Sequence, residues 1–117
     1  MSTLQVTNIQ ATGETASRAV SGVAAALAKF DGTAGTLSLD SSQNVSSLTD
    51  TATGRPQVNF TNSFSSANFH TTAIASARCI YGTQTLAASS ILMRYGDYQG
   101  TDQDREHCSV TIHGDLA

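Results

Sequence analysis

An all-β fold, an antiparallel β-sandwich of six to seven strands behind an extended N-terminal arm, is what this sequence predicts. Three observations carry that reading. In Gln57-Val58-Asn59-Phe60-Thr61 and in Cys108-Ser109-Val110-Thr111-Ile112 the apolar side chains fall on every second residue, so one face enters a core while the other stays wet. Short runs of this kind recur between clusters of Gly, Asp, Asn, Ser and Thr, the residues that turns require. Ser, Thr, Ala and Gly make up nearly half of the 117 residues, and no stretch has the length and apolar stripe of a long helix.

Taken in chain order, the first 15 residues read as an extended arm, with Leu4, Val6 and Ile9 apolar and a break at Gly13. From Ala16 the spacing changes. Ala16, Val20, Val23, Leu27 and Phe30 lie four, three, four and three apart, the pattern of a heptad seam. The reading is a short helix over 16–24 that runs into a strand over 25–30, although Gly22 weakens the helix. Further strands are expected over 36–40, 45–49, 57–61, 71–81, 91–95 and 108–113. Pro56 has no backbone donor and belongs at a strand start. The run 71–81 is the longest, and its small face of Ala73, Ala75, Ala77 and Cys79 marks it as the strand at the centre of the fold or against a partner subunit. Residues 1–25 thus read as an N-terminal arm with a short trimerisation segment, and residues 26–117 as a β-sandwich domain.

The supply of large apolar groups is thin, with no Trp, four Phe and three Tyr. Burial contributes about 25 cal/mol per Å², against an ordering cost of roughly 1–2 kcal/mol per residue, so a chain of this composition gains from self-association. A homotrimer with Val20, Val23 and Leu27 at its interface is expected. A net charge of −3, with the six basic residues scattered, excludes nucleic acid as the main partner. No apolar span approaches the roughly 18 residues of a membrane helix, and no export signal opens the chain, so the product is expected to be made in the cytoplasm without membrane insertion. Cys79 and Cys108, both in apolar alternation, read as reduced core thiols. The matches to the glycosylation acceptor at Asn44 and Asn59 then carry no weight.

Chemistry-bearing patterns are absent. His70, His107 and His113 share no metal-ligand spacing, and surface polarity explains them better than a metal held on an oligomer axis. Asp97, Asp102, Asp104 and Glu106 crowd one segment but lack the glycine and ligand order of a calcium loop, so solvated carboxylates are the better reading. No serine sits in a nucleophile elbow, and a paired-carboxylate glycosidase would need a cleft that short loops seldom build. Neither enzyme activity nor a cofactor nor a metal is expected. The contact surface is expected on two polar loops, 82–90 and 96–106, with Tyr95, Tyr98 and Asp102 as contact residues.

The block Ala26-Leu27-Ala28-Lys29-Phe30-Asp31-Gly32-Thr33, then Asn44-Val45-Ser46-Ser47-Leu48-Thr49-Asp50, Gly54, Val58-Asn59-Phe60-Thr61 and Ala67-Asn68-Phe69, resembles a domain common in small structural proteins of tailed bacteriophages, especially marine ones. These are usually labelled tail fibre or virion structural proteins. The closing Cys108-Ser109-Val110-Thr111-Ile112-His113-Gly114 looks like the last strand of that family, and Thr3 to Ile9 is similar to the attachment arm that opens many short virion proteins. Leu27 stands where the family often has Trp, and Arg55-Pro56 replaces an acidic-aromatic pair. These departures touch packing and one turn. The resemblance implies a virion protein whose arm docks on the particle and whose β-domain projects as a homotrimeric fibre or knob that contacts a host surface glycan or receptor. It brings no catalytic residue. A head fibre or capsid decoration protein would use the same architecture, and a carbohydrate-binding adhesin module is the alternative from another class.

Overall fold

Alternation in the sequence becomes two faces in space. The computed structural model describes residues 2–10, 12–13, 15, 18–19, 23–77 and 80–117, the side chains of 18, 19 and 80 excepted. Among the described residues ten strands are present: β1 (Asn8–Ile9), β2 (Arg18–Ala19), β3 (Ala24–Phe30), β4 (Leu39–Gln43), β5 (Val45–Asp50), β6 (Pro56–Phe60), β7 (His70–Ile74), β8 (Ile80–Ala87), β9 (Ser90–Gly96) and β10 (Cys108–His113). Eight of them form two four-stranded antiparallel sheets, in the orders β4-β3-β10-β7 and β5-β6-β9-β8, and β1 pairs with β2 in a ladder of its own. The sandwich is the expected one, with more strands than the sequence reading counted.

The two sheets bury their odd or even residues against each other. From the first come Ala26, Ala28 and Phe30 of β3, Cys108, Val110 and Ile112 of β10, and Ala73 of β7. The second contributes Val45, Val58, Phe60, Ile91, Met93 and Tyr95. Cys108 is buried within this core, the position expected of it, and its Sγ donates to the Arg105 carbonyl at 3.0 Å, whereas Cys79 lies outside the described residues. The loop between β6 and β7 adds Phe64 and Phe69, whose rings meet Phe60 edge to face at centroid distances of 4.9 and 5.9 Å. Offset edge contacts of this kind add to simple area burial.

The chain passes between sheets at their edges. At one edge, β4 continues into β5 through a single residue, Asn44, with φ of 55°. Asparagine tolerates that left-handed conformation, and both ends of its amide are engaged: Asn62 N–H donates to Oδ1 at 2.7 Å and Nδ2 donates to the Asn62 carbonyl at 3.1 Å. On the outer face of the second sheet, Asn59 Nδ2 donates to Ser47 Oγ and Thr49 Oγ1 at 3.1 and 3.0 Å. That polar ladder fixes the wet side of β5 and β6 just as Val58 fixes the dry side.

Four expectations are corrected here. No helix occurs among the described residues: Arg18–Ala19 is strand and residue 24 already opens β3, so extended chain joins Val23 to Leu27. Val23 is exposed and Leu27 lies half-buried on the outer face of the first sheet, opposite Thr111 and Gln43, while Val20 lies outside the described residues. From Val23 to Leu27, the described part of that seam, the chain is extended rather than helical. The long run 71–81 is not one strand, because Ala77 takes φ of 63° and the chain crosses there from one sheet to the other. Its first half, β7, is an edge strand rather than a central one. The strand expected over 36–40 is shifted to Leu39–Gln43, since it must pair with Leu27 to Phe30. Finally, most of the expected loop 82–90 is β8, closed onto β9 by a turn at Ala88 and Ser89.

Candidate functional site: a polar cleft beside Asp102

The segment between β9 and β10 is folded by its own carboxylates. Asp97 Oδ1 accepts the N–H groups of Gln99 and Thr101, both at 2.9 Å, and so closes residues 97–101 into a tight loop. Asp104 Oδ1 accepts the N–H of Gly54 at 2.6 Å, which ties the segment to the turn between β5 and β6. Tyr95 N–H donates to the Gly54 carbonyl at 2.7 Å and Gln103 N–H to the Tyr95 carbonyl at 3.1 Å. Gly54 has φ of +68°, and a Cβ there would stand 2.5 Å from the Tyr95 oxygen, so only glycine allows this approach. The expectation that 96–106 is a free, weakly constrained loop is thereby corrected.

Asp102 is the node of the arrangement. Arg94 Nε donates to its Oδ1 at 2.7 Å, and Arg55 Nε donates to its Oδ2 at 2.9 Å. These hydrogen bonds, first from Arg94 and then from Arg55, hold the Asp102 carboxyl below its ordinary value. A folded value below the unfolded one means that Asp102 stabilises the fold above about pH 4 and loses that contribution as pH falls through the folded value. Acid titration of stability should show it. Asp102→Asn is expected to flatten the loss of stability below about pH 4, measured by urea unfolding at several pH values. An unchanged acid limb would remove Asp102 from the account.

Next to this node lies a cleft of about 350 Å³ lined by Tyr81, Gly82, Thr83, Arg94, Gly96, Gly100 and Asp102. Its shape follows from strand register. Gly82 stands opposite Arg94 and Ile80 opposite Gly96, so two positions that would carry side chains on the outer face of β8 and β9 carry none. A Cβ at Gly82 would meet nothing within 4 Å. Arg94 is half-exposed and spends its Nε on Asp102. Tyr81, 47% exposed, supplies an aromatic surface. Guanidinium donors beside a carboxylate and an exposed ring suit a ligand rich in hydroxyl or carboxylate oxygens.

Of the contact residues expected from the sequence, Asp102 lines this cleft. Tyr98 sits on the loop, 69% exposed, and is not among the lining residues. Tyr95 is corrected outright: it is 1% exposed and belongs to the core with Ile91 and Met93. Arg55, Arg94 and Tyr81 were missed. Their spacing gives no local signal, since Arg55 and Asp102 are 47 residues apart and meet only through the fold. Among the described residues no group of three or more His, Cys, Asp or Glu is arranged to hold a metal ion, and no helix is long and apolar enough to cross a membrane. No protein-family model, no curated protein and no solved structure matches this chain.

Proposed function

We propose that this chain is a structural protein of a tailed-bacteriophage particle, of the tail-fibre type. It assembles as a homotrimer, docks on other particle proteins through its N-terminal arm, and contributes to host attachment by binding a surface glycan without cleaving it. The observation that supports this reading is where the resemblance falls. Phe30, Val45, Val58, Phe60 and Phe69, which carry the likeness to phage structural proteins, are all buried in the core between the sheets, and Asn44 makes the corner that joins them. The shared residues are thus those that specify a framework. The cleft beside Asp102 supplies the contact surface, and it also favours the second reading, a carbohydrate-binding module, because an exposed Tyr81 beside Arg94 is suited to a sugar ring.

The test uses the particle. With this chain labelled, imaging is expected to place it on a tail appendage. Label on the capsid would favour a decoration protein, and an unlabelled particle would overturn the reading. The purified chain is expected to sediment at three times 12.2 kDa, and a monomer at micromolar concentration would remove the trimer. Particles carrying Gly82→Val, which places a branched side chain in the cleft at a position where a Cβ meets nothing within 4 Å, are expected to assemble normally and to adsorb to host cells at least tenfold more slowly.

A further inference from the structure

Strand β8 is long, uncharged and uncovered. It runs for 8 residues, Ile80–Ala87, as the last strand of its sheet, so one side of its backbone has no neighbouring strand. Natural sheet edges are commonly guarded by charge or by short length. Here β4 carries Asp40, β5 carries Asp50 and β7 is only 5 residues long, whereas β8 contains neither a charged residue nor a proline. A register shift between Thr83 and Thr85 adds twist without supplying the missing neighbour. The core side of β8 is open as well. Tyr81, Thr83 and Leu86 stand opposite Tyr95, Met93 and Ile91, all three buried, so they share the inward face of the second sheet. Yet all are exposed, Tyr81 by 47% and Leu86 by 38%. The first sheet ends short of them.

The same chain carries an extended segment outside both sheets. Thr3-Leu4-Gln5-Val6-Thr7 alternates polar and apolar side chains, holds no charged residue and belongs to no strand, with Leu4 85% and Val6 44% exposed. Extended, it spans about 17 Å, within the roughly 27 Å of β8. We propose that residues 3–7 of one copy add as a further strand to β8 of a second copy, with Leu4 and Val6 covering the inward face at Tyr81 and Leu86. Main-chain pairing along the edge supplies the attachment, and the two alternate side chains decide which face is covered. The occupant is a second copy because each chain holds one uncovered edge and one unpaired strand of matching polarity, and neither is satisfied within a single copy. Such a head-to-tail contact closes into a ring when its rotation allows, and otherwise leaves one arm over for another protein. The inference rests on the self-association proposed above, and on no particular number of copies.

The test uses the purified full chain with exposed positions changed to lysine, the residue that guards natural edges. An arm variant carries Leu4→Lys with Val6→Lys, and an edge variant carries Thr83→Lys with Leu86→Lys. Each is expected to raise the concentration needed for assembly at least tenfold and to sediment as a monomer where the parent is assembled. Ser42→Lys, at an exposed inward position of the edge strand β4, is expected to leave assembly unchanged. An equimolar mixture of the two variants, labelled with different fluorophores, is expected to form a pair with one copy of each, because the intact arm of one meets the intact edge of the other. A mixture that stays monomeric, loss of assembly in only one of the two variants, or equal loss with Ser42→Lys would overturn the pairing. Assembly that survives in both variants would overturn it too while leaving the homotrimer standing, and a monomeric parent would remove both. If the edge variant does not fold, amide exchange in the parent decides: residues 3–7 and β8 are expected to exchange at least tenfold more slowly when assembled than after dilution, and equal rates would overturn the pairing.

Discussion

Phe30→Ala is expected to remove most of the stability of this domain. Phe30 is 0% exposed at the centre of the core, opposite Cys108 in the β3–β10 ladder. Large-to-small changes at such sites cost roughly 3–5 kcal/mol, and small domains hold only about 5–15 kcal/mol in total. The core can relax little around the loss, because its neighbours on the same strand are Ala26 and Ala28, whose methyls cannot swing into a void. Urea unfolding checks it, with Ile74→Ala as the contrast. Ile74 is apolar but 64% exposed on the outer face, and its truncation is expected to change stability by no more than about 0.5 kcal/mol. Equal losses for the two would mean that the outer face is covered, and the monomer would no longer be the unit to reason about.

Gly54→Ala is the second large effect, and its origin is backbone rather than burial. The new Cβ would stand 2.5 Å from the Tyr95 carbonyl oxygen and 2.7 Å from Gln103 N. Both are main-chain atoms, so no rotamer change relieves the overlap. Positive φ adds strain for any residue with a Cβ. The β5–β6 turn must therefore move off the 97–106 segment, breaking the bond from Gly54 N–H to Asp104 and the one from Tyr95 N–H to the Gly54 carbonyl. A cost of about 2–4 kcal/mol is expected, together with faster amide exchange at Gly54, Tyr95 and Gln103. Protection unchanged at those three amides would show that the turn and the segment are not coupled.

These two sites also show what the sequence reveals and what it hides. Alternation at Val58 and Phe60, and at Cys108, Val110 and Ile112, is enough to place those residues in a core, because each strand packs one face on an apolar layer and leaves the other wet. It fails for β8, all of whose described side chains through Leu86 are exposed, so burial imposes no period and Gly82 with Thr83, Gln84 and Thr85 reads as loop. The turn at Ala77 was hidden for another reason: alanine gives no hint of a positive φ. Tyr95 could have been placed correctly. It continues the parity of Ile91 and Met93, and the polar residues after it drew it towards the surface reading. The ion pairs of Asp102 with Arg55 and Arg94 depend on the docking of three separate segments, and no local pattern encodes them.

The position of β10 in its sheet has a consequence for how the chain acquires its structure. This strand, the latest of the ten in sequence, lies between β3 and β7, and it supplies Cys108 as the neighbour of Phe30 on one side, Leu39 of β4 standing on the other. On a ribosome, the hairpins β5–β6 and β8–β9 can close as soon as they emerge, whereas β3 and β7 have no common neighbour until about residue 113 has been made. Until then the inner face of β3, with Ala26, Ala28 and Phe30, stays open to water or to another nascent chain. Contacts this distant in sequence make folding slow, in the millisecond-to-second range of β-sandwiches. The interval before closure is when neighbouring chains made on one message can associate wrongly, and a low rate of synthesis or a chaperone favours correct folding over that outcome.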